Sequence, residues 1–275
     1  MLSNVLALQV LLGSIAHPLT EWQLRLPIPK LPRTGSEIGI RITSLSPLEL
    51  EQNLKNEILH GQIPTFLRRF VPVTVNGVID GRVVMATLFV APDYLAVGSN
   101  EDYLYTPLTP SIAQAVADKL HCCLPTPKMV DLIYQAATVK LAPSPIPPSA
   151  AMTTVPVFEE HNAMVKRQRN EVIAEFPLGQ LVAGNKKDVV VCARLAKQPG
   201  HVAIYGWHKL DGNPIQPLYL GHLDSWADYS HGIRLIANDI YVDGRKTTVQ
   251  KILANPKLCV LLNNEGPVAT VRYPH

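Results

Sequence analysis

Prolines are the feature of this sequence that most limits how the chain can fold. There are 24 of them in 275 residues. Each proline fixes its φ angle at about −65° and removes one backbone donor, so proline is excluded from the interiors of helices and of central strands. The sequence therefore predicts many fixed connections and sheet edges, and it argues against an all-helical bundle.

The composition is that of a globular chain with a large core. Hydrophobic residues make up 47% and charged residues 17% of the sequence. A domain of this size buries roughly three quarters of its unfolded surface, so it needs no disulfide or metal to be stable. The net charge is only +3, and the basic residues are dispersed, so no nucleic-acid partner is predicted. We expect buried free thiols at the four cysteines, which lack C-x-x-C spacing: Cys122, Cys123, Cys192 and Cys259.

The first 36 residues are set apart from the rest. Residues 5–16 form an apolar run that is too short to span a bilayer and that no lysine or arginine precedes. The run fits either the h-region of a signal peptide or a buried N-terminal helix. A proline-rich arm continues to residue 36. Residues 37–275 are predicted to form a single domain, in which the polyproline-like segment 142–152 either joins two lobes or crosses one surface.

The order of the predicted elements decides the fold class. Alternating apolar residues predict a strand at 37–43, and the capping box Ser46–Glu49 predicts a helix that ends near His60. Asn76-Gly77 and Asp80-Gly81 predict a turn region, and Asp211-Gly212 predicts a hairpin turn. Because strands and helices do not alternate regularly, the sequence predicts an α+β fold with a mainly antiparallel sheet and several helices packed on it.

Residues 206–234 form the part of the chain that is densest in groups able to move protons or bind metals. They include three of the nine histidines and two of the three tryptophans. The first half is predicted to be a hairpin in which Gly206 leaves space beside His208. The second half crowds polar groups around Gly232, which is typical of a functional site. It supplies the candidate catalytic residues: His222, Asp228, Tyr229, Ser230 and His231.

Three chemistries fit these candidates. The first is acid–base catalysis by His222 or His231, oriented by an aspartate. The second makes Ser230 a nucleophile, although the missing Gly-x-Ser-x-Gly elbow argues against an α/β-hydrolase. The third is a zinc site formed by His222, Asp228 and His231; otherwise no cofactor is predicted. The alternative to all three is a loop of hydrogen-bonded structural residues.

Other polar and aromatic residues are expected to border this site and to bind substrate. They are Lys186, Lys187, Trp207, His208, Trp226 and Arg234. The two tryptophans suit stacking on a sugar ring. The paired lysines at the entrance of a predicted strand are either solvated or bind an anionic group.

Several phrases of the sequence, from Phe66 onward, resemble a family of bacterial proteins that are often exported and have no assigned activity. They are Leu124–Asp131, Met152–Val155, Tyr205–His208, Pro214–Tyr219 and Ala227–Arg234. The resemblance implies an exported bacterial protein, and it implies no catalytic role for any residue.

These observations predict an exported hydrolase or lyase that acts on an extracellular or cell-wall polymer, such as a glycan or peptidoglycan, by His/Asp/Tyr acid–base chemistry. The alternatives are a non-catalytic module that binds a glycan or peptide, and a zinc-dependent hydrolase that uses His222, Asp228 and His231. The expected partner is a polymeric or small-molecule substrate. We expect no membrane span and a secreted or periplasmic location, with the cytoplasm as the alternative.

Overall fold

The computed structural model describes residues 21–268 and 272–273, so the apolar run 5–16 lies outside the described residues. The described residues fold into six α-helices and fourteen short or medium strands. The predicted α+β class with mainly antiparallel sheets is confirmed. The helices are α1 Gly35–Ile42, α2 Pro47–Leu59, α3 Pro110–Lys119, α4 Pro127–Ala136, α5 Val155–Glu171 and α6 Val249–Ala254.

The strands are β1 Val71–Ile79, β2 Arg82–Val90, β3 Ala96–Gly98, β4 Tyr103–Tyr105, β5 Cys122–Cys123, β6 Val139–Lys140, β7 Val182–Ala183, β8 Lys187–Val189, β9 Ile204–His208, β10 Pro214–Tyr219, β11 His231–Gly232, β12 Ile236–Ala237, β13 Asp239–Val242 and β14 Arg245–Thr248. They form two main sheets and two pairs. The six-stranded sheet has the order β14-β13-β2-β12-β5, with β1 also paired to β2, and the four-stranded sheet has the order β10-β9-β8-β11. Strands β3 and β4 pair antiparallel, and β6 and β7 pair parallel.

The strand predicted at 37–43 is wrong, because this segment belongs to helix α1. Thr34 and the glutamate three residues later form a capping box, a local signal that the alternating pattern obscured. Ile38 and Ile42, one helical turn apart, are buried, whereas Ile40 between them is exposed. Capping and i, i+4 burial therefore outweigh the period-two pattern here.

Local signals elsewhere in the chain were read correctly, with one exception. The capping box at Ser46 begins helix α2, with proline at its first position. Asp80-Gly81 turns the long β1–β2 hairpin, and both residues have positive φ as the tight turn requires. The turn predicted at Asn76-Gly77 is wrong, because β1 continues through both residues and pairs them with β2. The turn at Asp211-Gly212 lies between β9 and β10. All four cysteines are buried free thiols.

The four-stranded sheet brings distant parts of the sequence together. Strand β8 pairs antiparallel with β9 and parallel with β11. In this register Lys187 lies opposite both Gly206 and His231. The chain turns at Tyr229 and Ser230 just before the two-residue strand β11. The polar residues at 185–188, 206–208 and 228–231 therefore lie on neighbouring strands of one sheet or directly beside them.

A buried arginine connects the elements around this sheet. Arg234 has no solvent exposure, and its guanidinium donates to the carbonyls of Ala91 (3.0 Å) and Val182 (2.7 Å). It also lies 4.0 Å from the ring centroid of Tyr94. Burial raises the pKa of Asp188 to about 6, while the charge of Arg234 opposes that rise. Arg234 thus ties the end of β2 to β7 and supplies a counter-charge in the core.

No helix within residues 21–268 combines the length and the apolar character needed to cross a membrane.

We expect Arg234→Met to lower the free energy of unfolding by about 3–5 kcal/mol, because the substitution leaves buried carbonyls and carboxylates without their partner. Urea unfolding followed by circular dichroism measures the change. The exposed Arg245→Met is the matched control, for which we expect a change within about 0.5 kcal/mol. Equal losses in the two variants would contradict the connecting role of Arg234.

Candidate functional site

An open cleft of about 440 Å³ lies between α4 and the β9–β10 hairpin. Polar and aromatic side chains dominate its lining, among them Asp131, Tyr134, Gln135, Lys140, Tyr205 and His208. The ring of Tyr134 stacks on the ring of His208, with 4.5 Å between centroids and an interplanar angle of 17°. The volume lies within the range of small-molecule sites.

Asp131 of α4 organises the polar groups of this cleft. Its Oδ1 lies 3.0 Å from Nε2 of His208 and accepts a hydrogen bond of 2.9 Å from the hydroxyl of Tyr205. An ionised carboxylate accepts only, so Nε2 of His208 is the donor, and in the neutral imidazole the lone pair is on Nδ1. The arrangement is an aspartate–histidine pair with a tyrosine that fixes the aspartate.

Gly206 leaves space beside His208, as the sequence predicted. A Cβ atom at Gly206 would lie 3.4 Å from Nδ1 of His208 and 3.1 Å from Cγ1 of Val130. The residue also has φ +104°, which L side chains rarely adopt. Glycine therefore serves the backbone geometry and makes room for the imidazole, which lines the cleft but is itself buried, with 3% of the residue exposed.

The residues predicted to be catalytic converge, but away from this cleft. Asp228 accepts hydrogen bonds from the backbone N–H of Ser230 (2.8 Å), from the hydroxyl of Ser230 (2.5 Å) and from Nε1 of Trp226 (3.0 Å). Nε2 of His231 lies 3.8 Å from Oδ2 of Asp228. Asp228, Tyr229, Ser230 and His231 are all buried. A polymer has no direct route to them in this conformation.

The surroundings of Ser230 and His222 differ from those of a nucleophile and its base. The Ser230 hydroxyl points its proton at Asp228 rather than at a histidine. His222 lies on the half-exposed side of the cluster, where its ring stacks on Trp226 with 5.2 Å between centroids. The structure thus brings His222 to the edge of the cluster and places the serine in its interior.

The charge states within the cluster follow from burial and proximity. Burial raises the pKa of Asp228, but the nearby His231, the bond from Ser230 and the charge of Lys187 together lower it to about 2. Burial lowers the pKa of His231 to about 4, and Asp228 only partly opposes this effect. At neutral pH, Asp228 is ionised and His231 is neutral.

Across residues 21–268 and 272–273, no group of three or more His, Cys, Asp or Glu side chains is arranged to hold a metal ion. His222, Asp228 and His231, the set proposed from the sequence, are therefore not gathered as a ligand set in this conformation.

The predicted substrate-binding residues separate into four environments. His208 belongs to the cleft, Trp226 lies at the half-exposed edge of the Asp228 cluster, and Arg234 is internal. The fourth environment contains Trp207, Lys186 and Lys187. Lys187 is half-buried there, and the other two are buried.

The sequence patterns do not predict three residues that line the cleft: Asp131, Tyr134 and Tyr205. The signal that was present is Asp131, the acidic residue of an amphipathic helix, next to the buried Val130. Its partners lie more than seventy positions later in the chain, so no local pattern connects them.

Compared with family models, with curated proteins and with solved structures, the chain has no match. The roles assigned below therefore come from the geometry of this chain.

The buried His231 predicts loss of stability in acid. Its pKa falls from 6.5 in the unfolded chain to about 4 in the fold, so between these values only the unfolded state gains the proton. The free energy of unfolding should fall by on the order of 3 kcal/mol as pH drops through this window. His161, whose pKa burial lowers to about 2, acts in the same direction, and Asp188 opposes both.

Urea unfolding at a series of pH values measures this slope. In His231→Asn we expect a shallower slope between pH 6.5 and 4, whereas the exposed His60→Gln should keep the slope of the parent protein. An unchanged slope in His231→Asn would show that the imidazole does not titrate as described.

Proposed function

We propose that this protein is an acid–base enzyme, a hydrolase or a lyase, whose general base is Nδ1 of His208. The observation that carries the proposal is the 3.0 Å contact between Nε2 of His208 and Asp131 on the wall of an open cleft. A histidine with one nitrogen bound to a carboxylate and the other beside a glycine has the arrangement that proton abstraction requires.

Asp131 and Tyr205 prepare the base. Asp131 holds the imidazole in the tautomer with its lone pair on Nδ1, and it stabilises the imidazolium that forms after proton transfer. Burial raises the pKa of Tyr205, and the bond to Asp131 raises it further, so the phenol stays protonated and keeps donating. Tyr205 is thus a positioning residue.

The reaction needs two proton transfers. In a hydrolase, Nδ1 takes a proton from water as its oxygen attacks the scissile carbon, and the imidazolium returns the proton to the leaving oxygen or nitrogen. In a lyase, Nδ1 takes the proton from carbon, a double bond forms as the adjacent C–O bond breaks, and the leaving oxygen receives the proton. Both sequences return His208 to its starting state.

The substrate we propose is a hydroxyl-rich polymer, such as a glycan of the cell wall or the extracellular space. The cleft is open rather than enclosed, which suits a chain that extends beyond the site at both ends. Gln135, Lys140 and Asp211 line it and offer donors and acceptors to hydroxyl groups. A secreted or periplasmic location belongs to this proposal, with the support of the apolar run 5–16.

A non-catalytic glycan-binding module is the second candidate. The observation in its favour is Trp226, a half-exposed tryptophan whose plane is fixed by the stack on His222 and by the bond from its Nε1 to Asp228. A rigid aromatic plane of this kind suits stacking on a sugar ring. The two candidates differ in whether bonds are broken.

We expect His208→Gln and Asp131→Asn each to lower turnover by about a hundredfold to ten-thousandfold, because each removes the positioned base or its correct tautomer. The assay is release of reducing ends or of unsaturated products from a panel of purified cell-wall and capsular polysaccharides. His60→Gln, far from the cleft on α2, should retain full turnover. Full turnover in His208→Gln would refute the assigned base, and wild-type binding without turnover would favour the module.

We expect Gly206→Ala to lose stability and activity together. The left-handed backbone strain should cost about 1–3 kcal/mol of unfolding free energy. The added methyl group, 3.4 Å from Nδ1 of His208, should also lower turnover by at least about tenfold. Gly244→Ala is the matched control, because Gly244 has φ +76° and open space around its Cβ position. That control should lose stability but keep turnover; equal turnover in both variants would place the reaction elsewhere.

A further inference from the structure

We propose a second, occluded binding site beneath the proline-rich strap (residues 142–152), where Lys186 and Lys187 hold a compact oxyanion such as a phosphate or carboxylate group. The site lies on β8 and β11 and is separate from the cleft at Asp131 and His208. It does not depend on the enzymatic function proposed above.

Neither lysine has a carboxylate within ion-pair distance, although the ionised Asp228 acts on both from farther away. Nζ of Lys186 donates to Nδ1 of His161 (3.0 Å) and to the carbonyl of Tyr229 (2.6 Å), and it lies 5.2 Å from the ring centroid of Tyr105. Nζ of Lys187 lies over the ring of Trp207. Among the described residues, neither lysine forms an ion pair within 4.0 Å. A buried cation without an anionic partner is costly, and an anionic ligand removes that cost.

Burial explains why Lys186 is tolerated without a ligand. It lowers the pKa of this lysine to about 7, while the more distant charges of Asp228 and Asp93 oppose the shift. The amine is therefore partly neutral at neutral pH. An anion bound beside it would favour the charged form.

The buried groups nearby offer more donors than acceptors. Nε1 of Trp207, both amide atoms of Asn185 and both ring nitrogens of His231 are buried and have no hydrogen-bond partner. The indole and the amide nitrogen donate only, a neutral imidazole adds one donor, and the third proton of a charged Lys186 adds another. The acceptors without a partner are the amide oxygen of Asn185 and one nitrogen of His231. A ligand that matches this surplus is rich in acceptors, as an oxyanion is.

Contacts and strand register place these donors in one neighbourhood. Asn185, Lys186 and Lys187 are consecutive, and the backbone N–H of Trp207 donates to the carbonyl of Lys186 at 3.1 Å. Nζ of Lys187 lies 5.1 Å from the ring centroid of Trp207. His231 is the register partner of Lys187 in the parallel pair β8–β11.

The backbone of Trp207 has a strained conformation. Its φ is +55°, which is a genuine outlier for a bulky residue. Strain of this kind costs on the order of 1–3 kcal/mol and clusters at ligand sites. Here it accompanies an indole N–H that is buried next to the two lysines and has no partner.

The strap covers this neighbourhood through Tyr229. The backbone N–H of Ile146 donates to the hydroxyl of Tyr229 (2.7 Å), and that hydroxyl donates back to the carbonyl of Ile146 (3.0 Å). The ring of Tyr229 packs on His161, the residue that contacts Lys186. Gln168 holds the start of the strap at Ala142 and Ser144, and the backbone N–H of Tyr229 donates to Met152 at its end. Between these points the four prolines have no N–H to donate, so the bonds to Tyr229 Oη hold the middle of the strap. Lifting the strap gives an anion access to Lys186.

Calorimetric titration of the full chain with inorganic phosphate tests the site, with acetate as the carboxylate probe and chloride at equal ionic strength as the baseline. We expect saturable binding of one of the two probes. In Lys186→Met and in the half-buried Lys187→Met the dissociation constant should rise at least about tenfold. The exposed Lys197→Met should leave it unchanged.

The outcomes separate this proposal from the enzymatic one. Asp131→Asn should bind the probe like the parent protein, whatever it does to turnover. Binding that survives both lysine variants means an adventitious surface ion and overturns the site, as does the absence of binding for both probes. Lys187→Met keeps the test decisive if Lys186→Met does not fold.

Tyr229→Phe tests the strap, because it keeps the ring and removes both bonds to Ile146. We expect the association and dissociation rates of the probe, measured by stopped flow, to rise severalfold, since each bond contributes about 0.5–1.5 kcal/mol. Unchanged rates would overturn the strap as the route of entry.

Discussion

The hydrogen bonds of the fully buried Arg234 guanidinium hold together the elements that carry the cleft and the lysine site. It holds the end of β2 and strand β7 by their carbonyls, and it lies against Tyr94. Tyr94 in turn donates to Asp188 at 2.7 Å, which anchors β8 in the core. Lys187 is in β8, Lys186 directly precedes it, and β8 pairs with both β9 and β11. The internal cation Arg234 therefore helps to position the polar residues on all three strands.

Two adjacent residues of β9 serve different surroundings. His208 lines the open cleft and contacts Asp131, while Trp207 faces the buried lysines. Successive side chains of a strand point to opposite faces. A one-residue step therefore separates the Asp131–His208 pair from the cluster of donors around Lys186.

Local signals in the sequence predicted the local structure well and the site in part. Asp80-Gly81 and the Ser46 capping box correctly predict a turn and the start of a helix. At α1, in contrast, the alternating apolar residues predict a strand, whereas the capping box at Thr34 starts a helix. The crowded residues from Asp228 to His231 lie in a buried network, because burial is set by elements far away in sequence. The contact of Asp131 with His208 depends on tertiary packing, so composition and periodicity carry no trace of it.

The parallel pairing of β8 with β11 has a consequence for how the chain folds. Antiparallel neighbours such as β1 and β2 are joined by a tight turn and can form early, but β8 and β11 come from distant parts of the sequence. Closing so long a loop is slow, and it happens only after the intervening hairpin has found its place. During synthesis and refolding, Lys186, Asp228 and His231 therefore stay hydrated until a late step.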